Sequence, residues 1–192
     1  MTRVIAGVAG GRRLAVPPGQ VTRPTSDRAR EGLFGTVLSD LGPLDGRHVL
    51  DLYAGSGAVG LEALSRGAES VLLVESDARA AGVIKANMKA VGLPGARVVT
   101  GRAEKLLSGP PPAAYDLVFA DPPYAATAAA ISRVLTLLTE GGWLADGALV
   151  VVERATRSGD LDWPPGYTQG KSRRYGEATF WYGWHSAALA HA

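Results

Sequence analysis

Three features of the sequence predict an α/β, Rossmann-like fold: a mostly parallel sheet with a C-terminal antiparallel hairpin, plus a small N-terminal β-hairpin/helix extension. Strand-length apolar runs alternate with helix-length segments from residue 48 to residue 153. The interiors of those strands are almost wholly apolar, as expected where helices cover both faces of a parallel sheet. The first of them runs directly into a glycine-rich turn, the usual start of a nucleotide-type βαβ unit.

The elements follow in order. Val4-Ile5-Ala6 and Leu14-Ala15-Val16, punctuated by Gly10-Gly11 and Pro17-Pro18-Gly19, read as a hairpin or loose arm. A helix starts at Ser26 or Asp27, runs through Leu33, Phe34, Val37 and Leu38, and stops near Gly42-Pro43. His48–Tyr53 is the first body strand, followed by the glycine turn and a helix to about Arg66 that Gly67 closes. Ser70–Glu75 is the second strand, and Asp77 caps a helix reaching Val91 with Gly92 beyond its end. Arg97–Thr100 and Tyr115–Ala120 are the third and fourth strands, separated by a short helix and the proline-rich 109–112 loop. A helix around Thr127–Thr139 leads to a fifth strand, Ala148–Glu153. Two β-rich runs around Tyr175-Gly176 form the hairpin, whose packed face Trp163, Trp181, Tyr182 and Trp184 fill, and the chain frays from His185 on.

Composition narrows the chemistry. At 192 residues the chain fits one compact domain with a small appendage, large enough to hold a core without staples. It has no cysteine, which excludes disulfides, thiolate catalysis and cysteine-ligated metals. Its three histidines, His48, His185 and His191, are scattered, so no metal is expected. No apolar run approaches the roughly 20 residues of a membrane span, and no export signal opens the chain; a cytoplasmic protein without a membrane partner is expected. The net charge is +2, yet residues 1–30 hold six arginines against the single acid Asp27. A basic arm on a mildly acidic body points to a phosphate-bearing partner.

Two motifs carry the chemistry. Asp51-Leu52-Tyr53-Ala54-Gly55-Ser56-Gly57-Ala58-Val59-Gly60 places three glycines in the spacing that permits a tight turn, close approach of a ligand and close helix–strand packing. Glu75, at the tip of the next strand, is placed to accept both hydroxyls of a ribose. Together they indicate an adenosine-containing cofactor, either a dinucleotide or S-adenosylmethionine. Asp121-Pro122-Pro123-Tyr124 follows the fourth strand and so faces the same crevice. Its prolines give up two N–H donors and fix the backbone, leaving carbonyls outward. One carboxylate and one rigid carbonyl can accept both hydrogens of an exocyclic amine, while the Tyr124 ring stacks on a flat base.

The glycine loop followed by D-P-P-Y resembles the amino-group methyltransferases that use S-adenosyl-L-methionine. The whole chain, over about residues 3–183, resembles the RsmD family of bacterial 16S rRNA (guanine-N2)-methyltransferases. The likeness is carried by Arg3-Val4-Ile5-Ala6-Gly7 with Gly11-Arg12-Arg13-Leu14, by Arg23-Pro24-Thr25-Ser26-Asp27-Arg28-Ala29-Arg30-Glu31 with Leu33-Phe34, by the two motifs, and by Arg174-Tyr175-Gly176. The resemblance implies a basic N-terminal extension over 1–44, a methyltransferase catalytic domain over 45–185 and a tail over 186–192.

It also implies roles. Gly55, Ser56 and Gly57 would cradle the methionine part of the cofactor, Glu75 its ribose, and Pro24 and Thr25 would close the pocket near the methionine end. Asp51 and Ser76, at the ends of the first two strands, complete the cofactor set. Where relatives of this fold often place an acid near the adenine amine, the chain reads Gly101-Arg102-Ala103-Glu104. Backbone atoms of Arg102 and Ala103, or Glu104 itself, would serve. Asp121 and the Pro122 carbonyl would hold the guanine amine and Tyr124 would stack on the base. Arg3, Arg12, Arg13, Arg23 and Arg28 on the arm, with Lys171, Arg173 and Arg174 on the hairpin, would bind the RNA backbone. The expected partner is 16S rRNA in the small ribosomal subunit or an assembly intermediate, met by a monomer.

The residues alone leave other substrates open. Adenine N6 in DNA or another RNA fits the same amine geometry, although DNA enzymes need a recognition domain larger than the N-terminal segment. A NAD-dependent dehydrogenase explains the glycine loop and Glu75 but gives Asp121–Tyr124 no purpose. A non-catalytic RNA-binding factor would not need Asp121.

Overall fold

The computed structural model describes residues 2–19 and 25–190. Arg23 and Pro24 lie outside the described residues. The N-terminal segment pairs β1 (Thr2–Arg3) with β2 (Arg13–Leu14) in a minimal antiparallel hairpin, and α1 (Asp27–Leu41) follows. Ser26 caps α1 by accepting from the Ala29 N–H, and Gly42 ends it at positive φ. The body alternates β3 (His48–Leu52), α2 (Ala58–Ser65), β4 (Ser70–Glu75), α3 (Ala78–Val91), β5 (Ala96–Thr100), α4 (Ala103–Leu107), β6 (Tyr115–Ala120), α5 (Ala128–Glu140) and β7 (Leu144–Ala155). The chain closes with β8 (Tyr167–Tyr175), β9 (Ala178–His185) and the short α6 (Ala187–Ala190).

Seven strands form one sheet in the order β5-β4-β3-β6-β7-β9-β8. The first five are parallel, and β9 and β8 continue antiparallel. Strand order therefore reverses between β3 and β6, and the crevice beyond their carboxyl ends is where open α/β sheets take ligands. Two apolar cores cover the sheet. One face carries Leu50, Leu52, Val118, Val150 and Val152 against α4 and α5, with Trp143 fully buried. The other packs Val49, Leu73, Phe119 and Val151 against α2 and α3.

The N-terminal residues share this second core: Val4, Ala9, Leu14, Leu33 and Phe34 are all buried in it. A buried carboxylate explains the docking. Glu62 of α2 accepts from the backbone N–H groups of Ile5 and Ala6 and from Arg66 Nε, and lies 3.4 Å from Arg30 Nε. Ser65 Oγ accepts from the Ala9 N–H and donates to the Ala6 carbonyl.

Three elements depart from the sequence reading. Strand β7 begins at Leu144 rather than Ala148, because the Asp146-Gly147 pair that reads as a breaker is absorbed as an irregularity in the pairing with β6. His185 is not frayed: it ends β9, buried, with Nδ1 3.0 Å from the Gly166 carbonyl. Beyond it, Ala187–Ala190 forms a turn of helix anchored by an Ala187 N–H bond to Asp146 Oδ1. No helix among the described residues is long and apolar enough to cross a membrane.

Candidate active site

The glycine loop leaves the end of β3 at Tyr53, the sole non-glycine among the described residues with a left-handed backbone, at φ 60°. Gly55 (φ 60°) and Gly57 (φ 81°) continue the turn, and Gly57 caps α2. Gly60 serves a different end. A Cβ there would sit 2.8 Å from both Leu73 Cδ2 and Val71 Cγ1, so only glycine lets α2 lie this close to β4. The Gly60 N–H donates to Asp51 Oδ2 at 2.9 Å.

Asp51 is buried with that one hydrogen bond. Burial, aided by the charge of Glu75, pushes its carboxyl up to about 8. Glu75, at the tip of β4, uses each oxygen once: Oε1 accepts from the Gly55 N–H at 2.9 Å and Oε2 from the Asp77 N–H at 2.8 Å. A carboxylate has about four acceptor sites, so two remain for a vicinal diol. The loop is braced from behind by Asn87 of α3, whose Nδ2 donates to the carbonyls of Ser56 and Ala15 while its Oδ1 accepts from the Ala15 N–H.

Across the switch point, Asp121-Pro122-Pro123-Tyr124 leaves β6. The Asp121 N–H donates to the Leu52 carbonyl, the Pro123 carbonyl accepts from the Ala126 N–H, and Arg154 Nη1 donates to the Ala126 carbonyl. Among the described residues no backbone N–H donates to the Pro122 carbonyl. Tyr124 lines the crevice and is 56% exposed. Burial and the neighbouring Glu153 hold the Asp121 carboxyl well above the ordinary carboxylate range.

One cavity of about 590 Å³ joins these pieces. It lies within the range of small-molecule and cofactor sites. Thr25, Asp51, Gly55, Ser56, Glu75 and Ser76 line it, as do Arg102, Ala103, Asp121, Pro122 and Tyr124. Gly57, expected in the cofactor cradle, is not among the lining residues, whereas Glu104, the other residue considered for an adenine contact, is. Asp51, Glu75, Asp121 and Glu153 make the lining rich in acids, which suits a cationic ligand. Glycine turn, diol acceptor and acidic lining together fit S-adenosylmethionine.

The basic residues do not converge in this way. Arg3 pairs with Asp27 at 3.8 Å, Arg12 Nη1 donates to the Ala90 carbonyl, and Lys171 pairs with Asp40 at 2.9 Å. Arg173 and Arg174 donate to nearby carbonyls of their own hairpin. Arg13 and Arg28 are exposed.

Two residues of this region were missed by sequence reasoning. Glu153 lines the cavity beside Asp121, and Asn87 holds the loop and the arm together. Glu153 lies near the end of β7, whose neighbour is set by the sheet order, which local patterns do not reveal. Asn87 reads as an ordinary helix-surface polar residue until the arm folds over it.

A seven-stranded sheet with this order, a glycine turn, an acid at the tip of the second parallel strand and D-P-P-Y at its switch point define a Rossmann-like methyltransferase. The family described as Conserved hypothetical protein 95 matches residues 2–184. The Escherichia coli (strain K12) ribosomal RNA small subunit methyltransferase D is 36% identical over 180 residues, 93% of this chain and 87% of that one. Among solved structures, the Escherichia coli protein yhhF superposes with a TM-score of 0.85 at 32% identity, covering 96% of this chain and 98% of that one. A hypothetical protein of Thermus thermophilus gives 0.76 at 35% identity, over 95% and 98%. The chain belongs to this family, the RsmD family.

Proposed function

We propose that the protein transfers a methyl group from S-adenosyl-L-methionine to the exocyclic N2 amine of a guanine in 16S rRNA of the small ribosomal subunit. The carrying observation is the meeting, in one cavity, of the half-buried Asp121 carboxyl and the Pro122 carbonyl, which accepts no backbone N–H among the described residues, beside the exposed Tyr124. The ribosomal substrate is supported by the Escherichia coli relative, whose name assigns it to small-subunit rRNA.

When bound, S-adenosylmethionine supplies an electrophilic methyl group. The residues of this chain supply position. Glu75 would hold the ribose hydroxyls, and Gly55, Ser56 and Gly57 would hold the methionine portion. Thr25 borders the cavity, and its neighbour Pro24 would close the methionine end. Ser76 and the backbone at Arg102 and Ala103, or Glu104, would border the adenosine. Asp121 and the Pro122 carbonyl would each accept one amine hydrogen, which localises electron density on a nitrogen otherwise conjugated with the ring. Orientation of this kind is worth up to about 7–11 kcal/mol in favourable systems. Because the base must leave its stack to reach Tyr124, an unpaired loop guanine is the expected target. Exposed Arg13, Arg28, Arg173 and Arg174 would meet the RNA backbone.

The test is transfer of labelled methyl to unmodified small subunits, with naked rRNA and adenine-rich duplex DNA in parallel, followed by nucleoside digestion. Label in N2-methylguanosine, reduced at least ~100-fold by Asp121→Ala, is expected. Label in N6-methyladenine would replace the substrate and keep the amine chemistry. Undiminished transfer by Asp121→Ala would overturn the assignment of Asp121.

A further inference from the structure

Glu153 lines the cavity but has no part in the function above. It lies on β7 beside β6, where Ala120 pairs with Val152, so the next residues, Asp121 and Glu153, emerge side by side at the carboxyl end of the sheet. Their carboxyls are in hydrogen-bonding reach of each other and both line the cavity. Thr25 Oγ1, just ahead of α1, lies 3.5 Å from Glu153 Oε2 and holds its other side. Arg154, the nearest cation in sequence, turns away to the Ala126 carbonyl. Two carboxylates in contact, one buried and the other half-buried, cannot both ionise readily, so the lowest-energy state has one proton between them.

We propose that Glu153 is a positioning residue for the acceptor amine: with Asp121 it forms one carboxyl–carboxylate pair that carries a single proton, aims the free Asp121 oxygen at the amine, and takes up the proton the amine sheds. This rests on the methyl-transfer reading. In the singly protonated pair the proton sits on Asp121, whose O–H donates to a Glu153 oxygen while Thr25 Oγ1 donates to Glu153 Oε2, and this fixes the plane of the Asp121 carboxyl. The other Asp121 oxygen is left to accept from the amine. During transfer the nitrogen lone pair forms the new C–N bond as the C–S bond of the donor breaks, its electron pair remaining on sulfur. The surplus proton on nitrogen then passes to the pair, which goes from one negative charge to none and returns the proton to water after product leaves. Burial and mutual repulsion, which raise both carboxyls, make the pair a better proton acceptor than a solvated aspartate. Among the described residues, the other charged or titratable groups lining the cavity are Asp51 of β3, which raises Asp121 further, and Tyr53, Glu75, Asp77, Arg102, Glu104, Tyr124 and Arg154.

The direct test is a pH titration of the side-chain carboxyls by ¹³C NMR in the full chain, comparing wild type with Glu153→Gln and Asp121→Asn. The expected result is a wild-type Asp121 that titrates above the ordinary carboxylate range and moves to lower pH in Glu153→Gln. An Asp121 titration unmoved by Glu153→Gln would overturn the proposal. Methyl transfer gives the second readout. Glu153→Gln, which can still hydrogen-bond to Asp121, is expected to keep kcat within about three-fold, whereas Glu153→Ala loses at least about ten-fold in kcat with little change in KM for the methyl donor. Equal losses in Gln and Ala variants would also overturn it, because the hydrogen bond between the two side chains would then not matter. Failure of the methyl-transfer reading looks different: wild type would methylate no guanine, while the coupled titration would persist.

Discussion

Asp51→Asn is expected to make the ligand-free protein more stable at neutral and alkaline pH. The Asp51 carboxyl is buried, accepts one backbone N–H, and titrates at about 8 against an ordinary value near 4. An acid whose folded value is raised keeps its proton in the folded chain at a pH where the unfolded chain has released it. Stability is therefore fully present below about pH 4, falls as pH rises, and is lost by about pH 8. Each pH unit in that window removes roughly 1.4 kcal/mol, so at pH 7 the cost is about 4 kcal/mol as an upper limit. Asparagine removes the titration and still offers the Gly60 N–H an acceptor oxygen. Urea unfolding of both proteins at pH 5, 6, 7 and 8 should show the variant gaining on wild type at each step, by a few kcal/mol in all, with m unchanged. Asp121 and Glu153 titrate in the same direction and are common to both proteins, so the difference reads Asp51 together with the part by which its charge raises Asp121. Parallel stability curves would refute the reasoning.

Two further perturbations probe the frame of the site. Gly60→Ala forces a methyl to within 2.8 Å of Leu73 and Val71 and should cost about 1–2 kcal/mol after the helix preference of alanine is credited. Gly35→Ala, a helical site with open space around it, should gain up to about 1 kcal/mol in the same unfolding assay, and destabilisation of both alike would contradict the packing argument. Arg30→Ala removes a fully buried cation from Glu62, Asp27 and the Arg3 carbonyl. Glu62 keeps Arg66 and two backbone donors, so the cost should sit near the low end of a broken buried pair, roughly 3 kcal/mol by urea unfolding, and a loss under about 1 kcal/mol would show the pair to be idle.

Much of this molecule was legible because its local signals agree with one another. Ser70–Glu75 and Tyr115–Ala120 stand where their apolar runs begin and end, and α3 lies between Asp77 and Gly92 as its caps dictate. The glycine loop and Asp121–Tyr124 were legible for a further reason: both lie at carboxyl ends of parallel strands, so the fold class alone sends them to one crevice. Glu153 was not legible. Its meaning depends on β7 lying beside β6, a neighbour relation set by the strand order. The same holds for Asn87 and Glu62, whose partners Ala15, Ile5 and Ala6 are more than 50 residues away in sequence. Side chains that join distant segments leave no periodic trace.

The contrast between Glu62 and Asp51 separates structural from functional burial of charge in this fold. Both are acids in or beside α2, and both are buried. Glu62 meets two backbone N–H groups and two arginines, and its role ends with joining the arm to the body. Among the described residues Asp51 meets one N–H and no cation, and it lies in a cavity with Glu75, Asp121 and Glu153. Such an arrangement destabilises the empty protein and finds its complement when a cation binds. Perturbed acids gathered at a cleft are what a site tuned for a charged ligand produces. A sulfonium donor bound there would recover the electrostatic cost that the fold bears without it, so stability given up at Asp51 reappears as affinity.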